Sequence, residues 1–166
     1  LDPENAKIEM EAIRDALCAA DPENSTVFQS NYEKYAAELD ALDAEFREKL
    51  APLPNRTIVV AHEAFGYLCD AYGLTQVGIE GLSPDSEPDP GRMAEVIDFV
   101  REHSISTIFF EELVSPKVAE AIASETGAQA KMLSPLEGLS DEQAAAGADY
   151  FSVMHDNLAA LMEALN

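Results

Sequence analysis

Thr57-Ile58-Val59-Val60-Ala61-His62-Glu63-Ala64-Phe65-Gly66-Tyr67-Leu68 decides the fold of this 166-residue chain. The opening β-branched run favours a pleated, buried surface and predicts a strand over 57–61. A helix is predicted over 63–71, closed by Gly73, since glycine tolerates the left-handed turn that ends helices. His62 stands where one element gives way to the other. In an α/β protein that is the carboxyl end of a strand, where such folds place ligands.

The same alternation continues on the carboxyl side. Val77–Ile79 reads as a short strand, and Asp89-Pro90 as the cap of a helix with Met93, Val96, Ile97 and Val100 on its inner face. Ser106–Phe110 reads as a strand. Ser115-Pro116 then caps a helix that carries Val118, Ala121 and Ile122 inward and closes at Gly127. Ala130–Leu133 is a weaker strand. Ser140 with Gln143 resembles a capping box for the last helix, whose stripe is Tyr150, Met154, Leu158, Leu161 and Leu165. Strands alternating with helices imply right-handed βαβ units and a parallel sheet.

The amino-terminal third is different. Asp2-Pro3 starts a helix with Met10, Ile13 and Leu17 as its apolar stripe, and Asp21-Pro22 repeats the start signal. Phe28, Tyr32, Tyr35, Leu39, Leu42, Phe46 and Leu50 then follow at steps of three and four, predicting one long helix from about residue 23 to residue 50. The expected fold class is therefore α/β: a Rossmann-like layer of about four parallel strands flanked by helices, preceded by a long helix.

Composition narrows the function. A chain that is 47% hydrophobic can bury a real core, and no apolar run approaches the ~20 residues of a membrane span. A net charge of −22 argues against nucleic acid, whose phosphates it would repel, and weakly favours cationic solutes. Cys18 and Cys69 lack a CxxC spacing; a disulfide between them requires the fold to bring them together, and two unpaired, buried small hydrophobes is the favoured reading.

His62 and Glu137 each lie just past a predicted strand, so both can point into the crevice at the carboxyl edge of the sheet. An imidazole and a carboxylate suit zinc at about 2.0–2.2 Å, or manganese. The bland readings are a satisfied structural histidine and a solvated loop carboxylate. His103 ends a helix, where histidine bonds terminal carbonyls, and His155 flanks a core stripe at the surface. Glu111 and Glu112 follow a strand at the same edge as His62 and read as outer-shell or solvent carboxylates. Glu63 reads as a first-turn residue whose charge favours the helix dipole.

His62-Glu63-Ala64-Phe65-Gly66-Tyr67-Leu68 resembles the H-x-A-F-G-Y-L signature of the solute-binding proteins of zinc and manganese ABC importers. Ile108-Phe109-Phe110-Glu111, Ser115-Pro116-Lys117, Glu125-Thr126-Gly127-Ala128 and Pro135-Leu136-Glu137-Gly138-Leu139 are similar to the same family, in its order. Leu1-Asp2-Pro3-Glu4-Asn5-Ala6 resembles the segment after a family histidine in H-x-W-L-D-P. The resemblance covers nearly the whole chain and implies the carboxyl-terminal part of a longer protein. Residues 1–20 would be a helix of the absent amino-terminal lobe, 21–54 the inter-lobe helix and linker, and 55–166 the carboxyl-terminal lobe.

The family assigns a metal-ligand role to the histidine at position 62 and an acidic ligand to the turn holding Glu137. The remaining ligands are histidines of the other lobe, so this chain carries half of a site that needs four donors for zinc. Histidine at 62, where manganese-type relatives can carry glutamate, tilts the metal to zinc over manganese. The resemblance implies no enzyme but an extracytoplasmic receptor, periplasmic or a cell-surface lipoprotein of adhesin type, that delivers the ion to an ABC transporter permease. It also leaves Met10, Ile13 and Leu17 uncovered, so this piece is expected to self-associate through its first helix. Two other classes compete. One is an α/β enzyme with His62 as general base, though the chain has no G-x-S-x-G elbow and no phosphate loop. The other is an acidic interaction domain without metal.

Overall fold

The computed structural model describes residues 1–80, 89–112 and 115–166, and the described part divides into two compact units, Leu1–Ala51 and Pro52–Asn166. The first is a pair of packed helices, α1 (Pro3–Ala20) and α2 (Ser25–Leu50), joined through a single 3-10 turn at Pro22–Asn24. Asp2 caps α1 by accepting from the Glu4 amide at 3.0 Å, with Pro3 in the first turn where its missing N–H costs nothing. Asp21 makes no such side-chain bond, so its start signal opens the 3-10 turn and α2 begins at Ser25. Along α2, Leu39, Leu42, Phe46 and Leu50 are buried while Tyr35 is exposed. Ile13 and Leu17 of α1 are exposed as well.

In the second unit, β1 (Thr57–Val60), β2 (Thr75–Gly78), β3 (Thr107–Phe110) and β4 (Gln129–Met132) form one sheet, every pair parallel, in the order β2-β1-β3-β4. The helices between and after them are α3 (Gly66–Tyr72), α4 (Pro90–Glu102), α5 (Lys117–Thr126), α6 (Asp141–Ala145) and α7 (Tyr150–Leu165). This is the expected α/β layer. Its two central strands, β1 and β3, are buried on both faces, as strands of a covered parallel sheet are, while the edge strands β2 and β4 are more exposed. Val59 and Ile108 pack with Val96 and Val100 of α4 and with Ala119, Ile122 and Ala123 of α5. The alternate residues Ile58, Val60 and Phe109 are buried on the opposite side, and α7 packs on β1 and β4.

Several local expectations shift. α3 starts at Gly66, not at residue 63: Phe65 is its N-cap, at φ −102° and ψ 14°, and the Gln76 side chain accepts from the Phe65 amide at 3.0 Å. Glu63 therefore lies in a loop, outside any first turn. Ser115 does not cap α5, which begins at Lys117 with no side-chain cap. Ala121 is exposed, and Ala119 and Ala123 take the inward positions with Ile122. The Ser140–Gln143 capping box forms, but it caps the five-residue α6; Gly147, at φ +75°, breaks the chain before a second box of Asp149 and Ser152 opens α7.

The carboxyl end of α7 is tied to the amino edge of the sheet: the Asn55 amide donates to Leu165 O at 3.2 Å, and the Ser106 hydroxyl donates to Ala164 O at 3.1 Å. The amino-terminal half of α7 thus reaches the opposite, carboxyl edge. Both cysteines are free thiols, and burial pushes the Cys69 thiol up to about 12. Among the described residues no helix is long and apolar enough to cross a membrane.

The shifted face of α5 is directly testable. Ala123→Leu should overpack the sheet and cost about 1–3 kcal/mol, whereas Ala121→Leu on the exposed side should stay within about 0.5 kcal/mol. Urea midpoints of the two variants check the difference.

Candidate metal centre

Three side chains converge at the carboxyl edge of the sheet. His62 comes two residues after β1, Glu111 directly after β3, and Glu137 from the turn that follows β4. Because Val60 pairs with Phe109 and Phe110 with Met132, the parallel register brings these three chain exits side by side. One nitrogen or carboxylate oxygen from each of the three lies within 4.8 Å of the others, a set able to hold a metal ion.

The pairings within the set differ. His62 and Glu111 are both buried, at 3% and 4% exposure, and Nδ1 of the ring is hydrogen-bonded to Glu111 Oε1. With Glu111 ionised, the carboxylate can only accept, so Nδ1 carries the hydrogen and the Nε2 lone pair faces away from Glu111. Nε2 lies 3.5 Å from Oε1 of Glu137, whose side chain is 57% exposed. Burial pushes the Glu111 carboxyl above its ordinary value; the His62 ring opposes this, while Glu137 and Glu112 reinforce it. A buried carboxylate held against the far nitrogen of an imidazole fixes the ring's tautomer and angle, the usual outer-shell partner of a metal-binding histidine.

The loop carrying His62 is clamped on both flanks. The Ala64 amide turns back onto His62 O at 3.0 Å, and the amides of Ile79 and Glu80 donate to Val60 O and Ala61 O at 2.9 Å. Behind it, a Cβ on Gly78 would stand 2.6 Å from Glu63 Cγ and 2.5 Å from Glu80 O, so only glycine lets the backbone come so close. Arg92 of α4 donates to the carbonyls of Gly78 and Ile79, fixing the end of β2.

The other candidates fall elsewhere. His103 caps α4 with its ring nitrogen 3.0 Å from Phe99 O and its ring stacked on Phe99 at 4.0 Å, the structural use expected of it. His155 is exposed on α7, outside the cluster. Glu112 turns from His62 to bond the Ser134 hydroxyl. Glu111 is held and buried, which removes the solvent reading for it. Its sequence signals were a carboxylate immediately after a strand at the edge that His62 occupies and its place at the end of the family-like Ile108–Glu111 segment, neither of which distinguished holding the ring from facing solvent.

Comparison with known proteins bears on this arrangement. The ZnuA family, described as zinc-uptake complex component A, periplasmic, matches residues 1–164. The chain belongs to this family. The high-affinity zinc uptake system protein ZnuA of Bacillus subtilis (strain 168) is 39% identical over 165 residues, 99% of this chain and 52% of that protein. The zinc-binding protein AdcA of Streptococcus pyogenes serotype M6 is 41% identical over 161 residues, 97% of this chain and 31% of its own length. Among solved structures, the Zn(II)-bound ZnuA-like domain of Streptococcus pneumoniae AdcA superposes with a TM-score of 0.87 at 40% identity, covering 99% of this chain and 61% of that one. The chain thus spans about a third to a half of the length of the curated relatives it matches.

The close approach at Gly78 gives a test of the loop. Gly78→Ala should displace Glu63 and the His62 turn and cost about 1–3 kcal/mol in unfolding free energy by overpacking. A two-dimensional NMR spectrum should place the largest amide shifts at residues 61–65. Shifts confined to β2 would contradict the clamp.

Proposed function

We propose that this chain supplies His62 and Glu137 to the zinc site of a solute-binding receptor that captures Zn(II) outside the cytoplasm and hands it to an ABC permease. The observation that carries the reading is the 3.5 Å between His62 Nε2 and Glu137 Oε1. Two atoms that each bind tetrahedral zinc at about 2.0–2.1 Å stand about 3.3–3.4 Å apart, so this pair is already near the spacing of two ligands. Glu111 supports it by presenting Nε2 rather than Nδ1 to the ion.

Zinc needs further donors, and in this reading they come from the part of the relatives that lies outside this chain. The ion is cargo: His62 and Glu137 bind it, the Glu111 carboxylate orients the ring, and the exposure of Glu137 gives the ion a way in and out. Zinc is favoured over manganese by the imidazole donor and by the zinc named in the relatives and in the bound structure. The receptor is not an enzyme in this reading, and its place is the periplasm or the cell surface. The first helix belongs with the absent lobe, which would cover Ile13 and Leu17; without it, those side chains favour self-association.

Calorimetric titration of the whole protein with zinc tests the proposal. His62→Ala and Glu137→Ala should each weaken binding by more than the ~10–100-fold typical of outer-shell changes. His103→Ala and His155→Ala should leave it within about twofold, as expected away from the ligands. Equal affinities in all four variants would overturn the reading.

A further inference from the structure

The turn that carries Glu137 is built on an unfavourable backbone. Leu136, the residue just before it, sits at φ +59°, the left-handed region that a leucine rarely adopts. Such a conformation persists only where the surroundings over-determine it.

Here the surroundings lead back to one side chain on another element. Asn157 of α7 is 3% exposed, and its amide grips both backbone groups of Ser134: the Ser134 N–H donates to Oδ1 at 2.8 Å, and Nδ2 donates to Ser134 O at 2.8 Å. Ser134, itself 3% exposed, passes this order on. Its hydroxyl oxygen accepts from the Leu136 N–H at 3.1 Å and its proton goes to Glu112 Oε1. The two adjacent carboxylates after β3 therefore divide the work: Glu111 holds the ring of His62, and Glu112 holds the serine beneath Glu137.

Asn157 suits a double contact that few side chains can make. Its planar amide offers one donor and one acceptor side by side, matching the N–H and C=O of one residue. Aspartate and leucine of similar size cannot: the first lacks the donor when ionised, the second lacks both.

We propose that Asn157, acting through Ser134 and Leu136, is the positioning residue for Glu137, setting the 3.5 Å approach of its carboxylate to His62 Nε2. This rests on Glu137 being a zinc ligand, as proposed above. Removing the amide lets the Ser134–Glu137 turn relax out of its left-handed form, and the carboxylate loses its fixed place while remaining in the chain.

The experiment uses the whole protein with zinc as the probe, in four forms: unchanged, Asn157→Leu, Glu137→Gln, and the double variant. Hydrogen exchange of the metal-free protein is measured alongside. The expected result has three parts. The Ser134 and Leu136 amides lose protection in Asn157→Leu while those of β4 and the rest of α7 keep theirs. Zinc affinity falls ~10–100-fold, as for other residues that orient a ligand. In the Glu137→Gln background the same substitution costs less than about threefold, because residues acting through one another are non-additive. A loss of affinity from Asn157→Leu that is the same with and without Glu137 would show a merely structural residue and overturn the proposal. So would unchanged protection at Ser134 and Leu136. If Glu137→Gln alone leaves zinc affinity intact, the ligand reading of Glu137 has failed, and the positioning role falls with it, whatever the exchange data show. Should Asn157→Leu unfold, Asn157→Asp carries the test. Its neutral acid form can restore both bonds, so protection at Leu136 should recover as the pH is lowered.

Discussion

The parallel register of β1, β3 and β4 is the constraint from which the site follows. Pairing Val60 with Phe109 and Phe110 with Met132 makes all three strands end at one edge, and the chain must leave each of them there. Backbone bonds continue one or two residues past the strands, as from Ile79 to Val60 and from Leu133 to Phe110, and beyond them side chains hold the exits: Gln76 on Phe65, Arg92 on Gly78 and Ile79, Asn157 on Ser134. The polar residues beyond the strands are consequently fixed by the same bonds that finish the sheet.

Within that edge, the His62–Glu111 pair carries the greatest electrostatic stake. Both groups lie at 4% exposure or less, and taking either out of water alone would be expensive. Together they satisfy one another and leave one ring nitrogen directed at the more exposed Glu137. Loss of one partner would leave the other buried and unpaired, a change that ordinarily costs about 3–5 kcal/mol. The pair is thus a structural element first, and its geometry is what makes Nε2 available. Glu137, by contrast, is half in solvent on a turn, and depends on the backbone beneath it for its place.

Much of this was legible in the sequence, for reasons tied to particular residues. The β-branched run before His62 and the Asp-Pro starts at 2–3 and 89–90 act locally, so they survive folding unchanged. The four parallel strands followed from the alternation they punctuate. What escaped were outcomes fixed by distant partners. Helix α3 starts at Gly66, with the Phe65 amide bonded to a glutamine on β2, and nothing near Glu63 announces that distant partner. The last helical segment splits because Gly147 adopts a left-handed turn that a glycine permits but does not demand. Glu111 could be seen at the right edge, yet whether it would be solvated or locked to His62, 49 residues away in the sequence, depends on the register that pairs Val60 with Phe109. Asn157 gave no signal at all, because its stripe position on α7 reads as another surface or core choice until Ser134 is seen beside it.

The central claim is that Nε2 of His62 and a carboxylate oxygen of Glu137 bind the same zinc ion, with Glu111 on the other nitrogen. Crystals of the zinc-loaded whole protein, with anomalous data collected on both sides of the zinc absorption edge, test it most directly. The account predicts one zinc peak about 2.0–2.2 Å from both His62 Nε2 and a Glu137 oxygen, with Nδ1 still bonded to Glu111. A zinc peak on Nδ1, or one that leaves both His62 and Glu137 outside bonding distance, would contradict it.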